Sequence, residues 1–367
     1  MKIIDCQAPN EWDRYVTGHA HGGPFHLFGW KTILERVYGL KTFYRMAVDD
    51  DRHPAEAEPQ GLPAIGICGL ALLQSPFKGR RLVSLPYLDV GGILADNVET
   101  EDRLLQHAVD IAANRHAAWI ELRQKAPLQG IAALSLGTGE PIVQGLARIR
   151  HLQVSSHKAS LQRRLPDDAE ELMHSFKSKL RSQVRKAMKN GLTHTVGGPE
   201  LLTDFYAVFS HNMRDLGSPV HARKLFAAVL DTFGEDARIV LVRHGQKAVA
   251  AALVLRFGNR LHNPWASSLR AYRRLGANML LYWAMLAHAC DTGLRIFDFG
   301  RSSPGANTFR FKRQWGAEPT SLYWYYLTLF GKPVDPLSEH LCFSTWKRLP
   351  VGLTRLLGPY IRRHIGL

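Results

Sequence analysis

The chain repeats itself. Leu104-Leu105-Gln106-His107-Ala108 reappears as Leu280-Leu281-Tyr282-Trp283-Ala284. Each copy is followed by a short apolar run with a carboxylate second, Ile120-Glu121-Leu122-Arg123 and Phe297-Asp298-Phe299-Gly300. Each is preceded by a proline–aromatic pair, Pro86-Tyr87 and Pro264-Trp265, and the three spacings agree to within two residues. A shared order at a shared spacing predicts a tandem duplication of one α/β unit: antiparallel meander, helix, strand, loop. A chain of 367 residues is long enough for two such units.

The expected fold class is therefore α/β (α+β), in three parts. The first unit spans 1–155 and the second 156–330, with a basic helix at 176–190. The last part, 331–367, is a basic helical tail with Lys347, Arg348, Arg355, Arg362 and Arg363 among apolar residues. Such a tail either packs on the second unit or lies on an anionic surface. Helices are expected at Phe28–Tyr38, stopped by Gly39, at Thr100–Arg115, and at Asp167–Ser175 and Phe176–Asn190. Others are expected at Pro199–Leu216, Ala222–Phe233 and Ala277–Thr292. Strands follow at Arg238–Arg243, Ala248–Phe257 and Arg260–Trp265, with a final strand of the second unit at Tyr323–Leu329. Asp49–Leu62 is polar and proline-containing, a surface loop between two hairpin strands.

Lys and Arg number 47 against 32 Asp and Glu, a formal charge of +15. That balance favours polyanionic partners: nucleic acid, phosphorylated metabolites or an anionic membrane surface. Cys6, Cys68, Cys290 and Cys342 are far apart and form no CxxC, which fits a reducing compartment. The N-terminus lacks an apolar core of signal-peptide length, and the most apolar window, Leu275–Cys290, is too short to span a bilayer. A cytoplasmic protein is expected, with peripheral contact at an inner membrane open through the tail. His19, His21 and His26 cluster in HAHGGPFH without nearby carboxylates, so no metal site is expected.

Three stretches carry candidate chemistry. In Ile296–Ala317 a strand bearing Asp298 leads into a small-residue loop with Arg301, then a cationic aromatic helix with Arg310 and Lys312. Asp298 is the candidate to position or deprotonate an attacking amine, and Lys312 to neutralise a phosphate or a developing oxyanion. The alternative makes Asp298 half of a structural pair with an arginine. In the basic helix, Lys177, Arg181, Arg185 and Lys189 form one stripe, beside an apolar stripe of Phe176, Leu180, Val184 and Met188. Like charges at that spacing cost a helix about 0.2–0.5 kcal/mol per pair. Arg181 and Arg185 are therefore candidate phosphate ligands, with a solvated face as the alternative. In the third stretch, Arg273, Gly276, Ala277 and Asn278 open a helix after a strand, where backbone N–H groups meet a phosphate. Trp265, at the end of that strand, is a further candidate for substrate contact.

The third stretch resembles the R/Q-x-x-G-x-G/A loop with which GNAT acetyltransferases cradle the pyrophosphate of coenzyme A. Arg273 and Gly276 match, and Asn278 replaces the second small residue. The chain as a whole resembles the FemAB family. The resemblance rests on KLRSQVRKAMKNG (Lys179–Gly191), GANMLLYWAMLAHACDTGLRIFDFGRS (Gly276–Ser302) and TFRFKRQWGAEP (Thr308–Pro319). FHLFGWKTILERVYGLKTFY (Phe25–Tyr44) and LVSLPYLDVGGILAD (Leu82–Asp96) extend it into the first unit. It looks most like the branch associated with exosortase/PEP-CTERM and exopolysaccharide gene clusters.

The resemblance implies two tandem GNAT-like domains and acyl or aminoacyl transfer to an amine or hydroxyl of a phosphate-bearing sugar or lipid-linked precursor. The implied donor is acetyl-CoA or aminoacyl-tRNA, with no tightly bound cofactor. FemA-type enzymes carry a long coiled-coil arm in the second domain, and nothing between Asp167 and Phe233 is long enough for one. Two alternatives remain at this stage. One is an acetyl-CoA-dependent N-acetyltransferase of exopolysaccharide sugars. The other is a non-catalytic basic protein that binds membrane or RNA.

Overall fold

The computed structural model describes residues 1–50, 63–75, 79–131, 147–334 and 344–366. The expected loop Asp49–Leu62 lies almost wholly outside the described residues, as does Cys342. The chain forms two α/β units.

In the first unit, β1 (Lys2–Asp5), β2 (Lys41–Val48), β3 (Ala64–Ser75), β4 (Gly79–Val83) and β6 (Trp119–Gln124) lie side by side in that order. A short β5 (Ile93–Ala95) also pairs with β3. Every described pairing is antiparallel except β4 with β6, which α3 (Val98–Asn114) links as a crossover. The α3 helix begins where the Asn97 side chain accepts from Thr100 N at 2.9 Å, with Glu99 and Glu101 in the first turn. Leu104, Leu105, Ala108 and Ala112 then fall on one stripe and are buried against Phe43, Leu70, Ile120 and Leu122 of the sheet. Each such leucine is worth about 1.5–3 kcal/mol of transfer free energy. Helices α1 (Pro9–Gly18) and α2 (Gly29–Tyr38) bury Trp12 and Trp30. Both indole N–H groups are satisfied, by His26 O and Pro24 O, each at 2.7 Å.

In the second unit the strands run β9 (Leu192–Gly197), β10 (Ala237–His244), β11 (Lys247–Phe257), β12 (Arg260–Ser268), β13 (Ile296–Ser302), β8 (Ala159–Arg164) and β14 (Glu318–Ser321). Again one pair is parallel, β12 with β13, joined by helix α8 (Ala277–Asp291). Helices α4 (Ala169–Ser175) and α5 (Ser178–Lys189) pack with α8, whose residues are buried nearly all round. Helices α6 (Leu202–Leu216) and α7 (Arg223–Phe233) also contact the sheet, on β10, β11 and β12. Among the described residues the α4–α5 pair has no counterpart in the first unit. It is inserted ahead of β9, the strand that corresponds to β1.

The expected boundaries need correction. The strand expected to close the second unit, β15 (Tyr323–Thr328), pairs with β6 over six residues and with β7 (His151–Ser155) over five, so it belongs to the first sheet. In turn β8, which follows β7 in the chain, supplies the neighbour of β13 in the second sheet. Each unit thus completes its sheet with the strand that follows the other unit's edge strand. The physical reason is burial. Trp324 to Leu327 are all at most 3% exposed, and a strand apolar on both faces needs an interior place with two partners.

The tail is likewise not one body. Helix α10 (Val351–Arg362) belongs to the second unit, while His364–Gly366 return to the first. There Tyr87 N donates to Gly366 O at 2.7 Å, and Arg81 Nη2 to His364 O at 3.2 Å.

Candidate functional site

The parallel ladder between β12 and β13 is short. It joins Arg260 to Ile296, Leu261 to Phe297 and His262 to Asp298, and ends there. Both strands bend at that point. On β12, Asn263 and Pro264 together oppose Val254 of β11, a bulge at the proline that cannot donate to a ladder. On β13, Phe299 and Gly300 together oppose Leu161 of β8, and Gly300 takes φ +71°. The strand therefore runs on around this glycine to Ser302, and Arg301, expected in the loop, lies on it. Past His262 and Asp298 the two strands separate, leaving backbone groups on their facing edges without a strand partner.

A row of polar side chains crosses the sheet at the mouth of this gap. Gln162, Asp298 and His262 are register partners on three adjacent strands. Asp298, 8% exposed, accepts from Ser160 Oγ at 2.9 Å and Gly300 N at 2.8 Å on Oδ1, and from Gln162 Nε2 at 2.8 Å on Oδ2. His262 Nδ1 lies 3.6 Å from Oδ2. Arg260 Nη1 donates to Gln162 Oε1 at 3.2 Å, fixing which end of that amide faces Asp298. The pairing of Asp298 with an arginine, open from sequence, is not the observed one. Its partners are a serine, a glutamine, a backbone amide and a histidine. His262 was not singled out from the sequence. The signal that finds it is its register, the last rung opposite Asp298.

Lys312, in α9 (Asn307–Gln314), is 8% exposed and donates to Gly300 O at 3.0 Å and Arg301 O at 2.8 Å. Its ammonium thus holds the bend of β13 that carries Asp298. Arg301 is half-buried on the same strand. Arg310 is exposed and donates to Asn307 Oδ1 at 2.6 Å. Trp265 is only 7% exposed, edge-on to Phe226 at 5.2 Å. It packs in the aromatic layer under α7 rather than opening to a substrate, because the β12 bulge has already turned the strand.

The helix expected at Phe176–Asn190 begins later. Phe176 and Lys177 are extended, so Lys177 stands outside the stripe, and Ala187 rather than Met188 completes the buried face. Arg181 donates to Phe176 O at 2.6 Å and His174 O at 3.3 Å, tying off the break between α4 and α5. Arg185 is exposed. Opposite α5, Gly276 takes φ +85° and opens α8. A Cβ there would meet the Ala187 Cβ at 3.0 Å, so the two backbones approach closely. Asn190 Nδ2 donates to Leu275 O at 3.1 Å, pinning α5 to the same turn. Ala277 is buried and Asn278 half-buried in the first turn of α8, with Arg273 exposed ahead of them. A helix N-terminus with no carboxylate in its first turn and a close-packed glycine is suited to receive a phosphate.

The first unit has the same ladder end without the same chemistry. Val83 pairs with Glu121 where His262 pairs with Asp298. Glu121 is fully buried and bonded to Arg123, 2.8 Å from Nε. The Arg123 guanidinium donates to Leu85 O at 3.1 Å and Gly366 O at 3.0 Å, and lies 4.7 Å over Trp324. That space is filled. A cavity of about 70 Å³ in this unit is lined by His19, His21, His26, Glu101 and Lys125 among others. Burial, helped by Lys125, pushes the His26 imidazole down to about 3. Among the described residues no group of three or more His, Cys, Asp or Glu is arranged to hold a metal.

Residues 174–313 match the domain family described as "Acetyltransferase (GNAT) domain", so the second unit carries an acyltransferase domain. No curated protein sequence matches the chain. Among solved structures, FemX is similar with a TM-score of 0.62 at 16% identity, covering 88% of this chain and 97% of that one. A tandem GNAT protein from the clavulanic acid biosynthesis pathway gives 0.53 at 13% identity, covering 91% and 99%. L-PGS from Bacillus licheniformis gives 0.51 at 12%, covering 92% and 96%. The fold is that of tandem GNAT-like domains. No described helix is long and apolar enough to cross a membrane.

Proposed function

We propose that the second unit transfers an acyl or aminoacyl group to an amine or hydroxyl of a phosphate-bearing sugar or lipid-linked cell-envelope precursor. The observation that carries this reading is the gap between β12 and β13, with the Gln162–Asp298–His262 row at its mouth. Backbone N–H groups beside a ladder that ends in this way are suited to polarise an acyl carbonyl laid between the strands. The turn at Gly276 and the N-terminus of α8 lie at the other end of β12, where the phosphates of the donor would sit. Acetyl-CoA, the co-substrate of GNAT acyltransferases, and aminoacyl-tRNA both place a phosphate-bearing arm behind a reactive carbonyl. Exposed Arg185 and Arg273 flank that helix start and are the cations proposed for it, while Arg310 is proposed for the acceptor.

In the reaction the acceptor nitrogen or oxygen attacks the acyl carbonyl and the new bond to carbon forms. The tetrahedral oxyanion collapses, and the bond to the donor sulfur or oxygen breaks. The leaving thiolate or ribose oxygen takes up a proton. The proton lost by the acceptor goes to the His262–Asp298 pair. Asp298 already accepts three hydrogen bonds, so its part is to hold the imidazole, and Lys312 holds the strand that carries it. Trp265 and Arg181 act through packing and capping.

The test is a thermal-shift titration with acetyl-CoA and aminoacyl-tRNA, then transfer of labelled acyl group to nucleotide-linked amino sugars. A true donor raises the melting temperature in proportion to the logarithm of its concentration. Absence of a shift with both donors, and of label transfer, would reject the proposal.

A further inference from the structure

Helix α10 is built inside out. Its inward side carries Thr354 and Gly358, both buried, together with Arg355 and Arg362. Gly358 lies so close to Val220 that a Cβ would sit 2.9 Å from the Val220 nitrogen. Arg355 Nε donates to Ser210 Oγ at 2.8 Å, and its guanidinium lies over Tyr206. Arg362 Nε donates to His221 Nε2 at 3.1 Å. Small and cationic residues thus fasten the helix to the second unit. The row that a surface helix ordinarily turns to the core, at i, i+3, i+4 and i+7, points the other way. Leu353, Leu356, Leu357 and Tyr360 are 39%, 64%, 41% and 66% exposed.

We infer that this face docks the protein on an anionic lipid surface, with Leu353, Leu356, Leu357 and Tyr360 entering the headgroup region and Lys347, Arg348 and Arg363 lying against the lipid phosphates. Those three cations are exposed at the two ends of the helix, and the stretch from Ser344 to Gly366 contains no carboxylate. A leucine–tyrosine face rimmed by cations is complementary to an anionic bilayer, where apolar burial and charge attraction add. The same rim argues against a second copy of the chain, because a two-fold contact would bring like charges together. The inward fastening makes the face a fixed one, already helical before it meets lipid. The inference stands apart from the acyl-transfer reading, since it rests on no residue of that site.

The experiment is co-sedimentation of the full chain with vesicles of phosphatidylcholine alone and of phosphatidylcholine with phosphatidylglycerol, at low and high salt. The chain is expected in the pellet with the anionic vesicles, more so at low salt. Leu356→Ser with Leu357→Ser and Tyr360→Ser should lower vesicle affinity at least about tenfold, while the melting temperature stays within a few degrees of the parent. Lys347→Gln with Arg348→Gln and Arg363→Gln should remove most of the salt dependence. Three results would overturn the inference. The parent stays in the supernatant with every vesicle, or the serine variant sediments like the parent. Or the serine variant instead converts a dimer to a monomer in sedimentation equilibrium, which assigns the face to a second copy.

Discussion

His262 and Asp298 differ in how cleanly they can be tested. Asp298→Asn keeps Oδ1 for Ser160 and Gly300 but turns an amide NH₂ toward Gln162 Nε2, which already donates there. A buried donor facing a donor costs about 1–3 kcal/mol, so this variant should melt early whatever its role in turnover. His262→Gln leaves every hydrogen bond of Asp298 from Ser160, Gln162 and Gly300 in place. It should melt close to the parent and lose turnover by about 10²–10⁴-fold if the pair takes the acceptor's proton. Equal turnover in the two proteins would make the row a structural strut.

A second residue-scale expectation concerns His26. Its folded value is pushed down to about 3 from an ordinary 6.5, chiefly by burial. Between those two values the unfolded chain binds a proton that the folded chain refuses. The associated stability is therefore complete above pH 6.5 and is lost as the pH falls, at up to about 1.4 kcal/mol per pH unit. The first unit's urea midpoint should drop between pH 7 and 5, and His26→Gln should flatten that drop. A variant with the same pH slope would place the acid sensitivity elsewhere in the unit, for instance at His107, which burial also holds below its ordinary value.

At the scale of elements, the turn before α8 was legible because its requirement is local. Only glycine takes φ +85° without strain, and the sequence offers Gly276 ahead of an apolar helix. The Gly276→Ala substitution should cost about 1–2 kcal/mol from the left-handed backbone alone. It should also press on Ala187 and weaken donor binding, read by urea melting and donor titration together. Unchanged donor affinity would detach this turn from the donor site. The basic helix was legible in part. Its charges are plain in the sequence, but the extended break at Phe176–Lys177 exists because Phe176 turns away to pack on Trp315 and Trp283. No local pattern announces that tertiary contact. His262 was passed over for a related reason. As a lone histidine in an apolar strand it carries no signal, and its meaning comes from a register set by the crossover α8 and by two bulges. Asp298 was found because a carboxylate in an apolar run is conspicuous by itself, though its partners were not.

At the scale of the molecule, the duplicated order of helix, strand and loop was readable, while the exchange of strands was not. β8 and β15 follow β7 and β14 in the chain, and nothing in their composition says to which sheet each will go. The exchange has a consequence for folding. The first sheet lacks its next-to-edge strand until β15, some 170 residues beyond β7, has been made. Without β15, β6 becomes an edge whose backbone N–H and C=O groups lose that ladder, and β7 has no described partner strand at all. An apolar, unpaired edge of that kind invites aggregation. A fragment ending at His157 should therefore be insoluble or lack a cooperative melt. The same fragment extended through a short glycine–serine linker into Ser321–Val334 should recover a soluble unit, because that segment restores two ladders and the Trp324–Tyr326 cluster on Trp119. Circular dichroism and urea melting of both fragments decide the matter. A cooperative transition in the shorter fragment would show that the first unit closes its sheet without the exchanged strand.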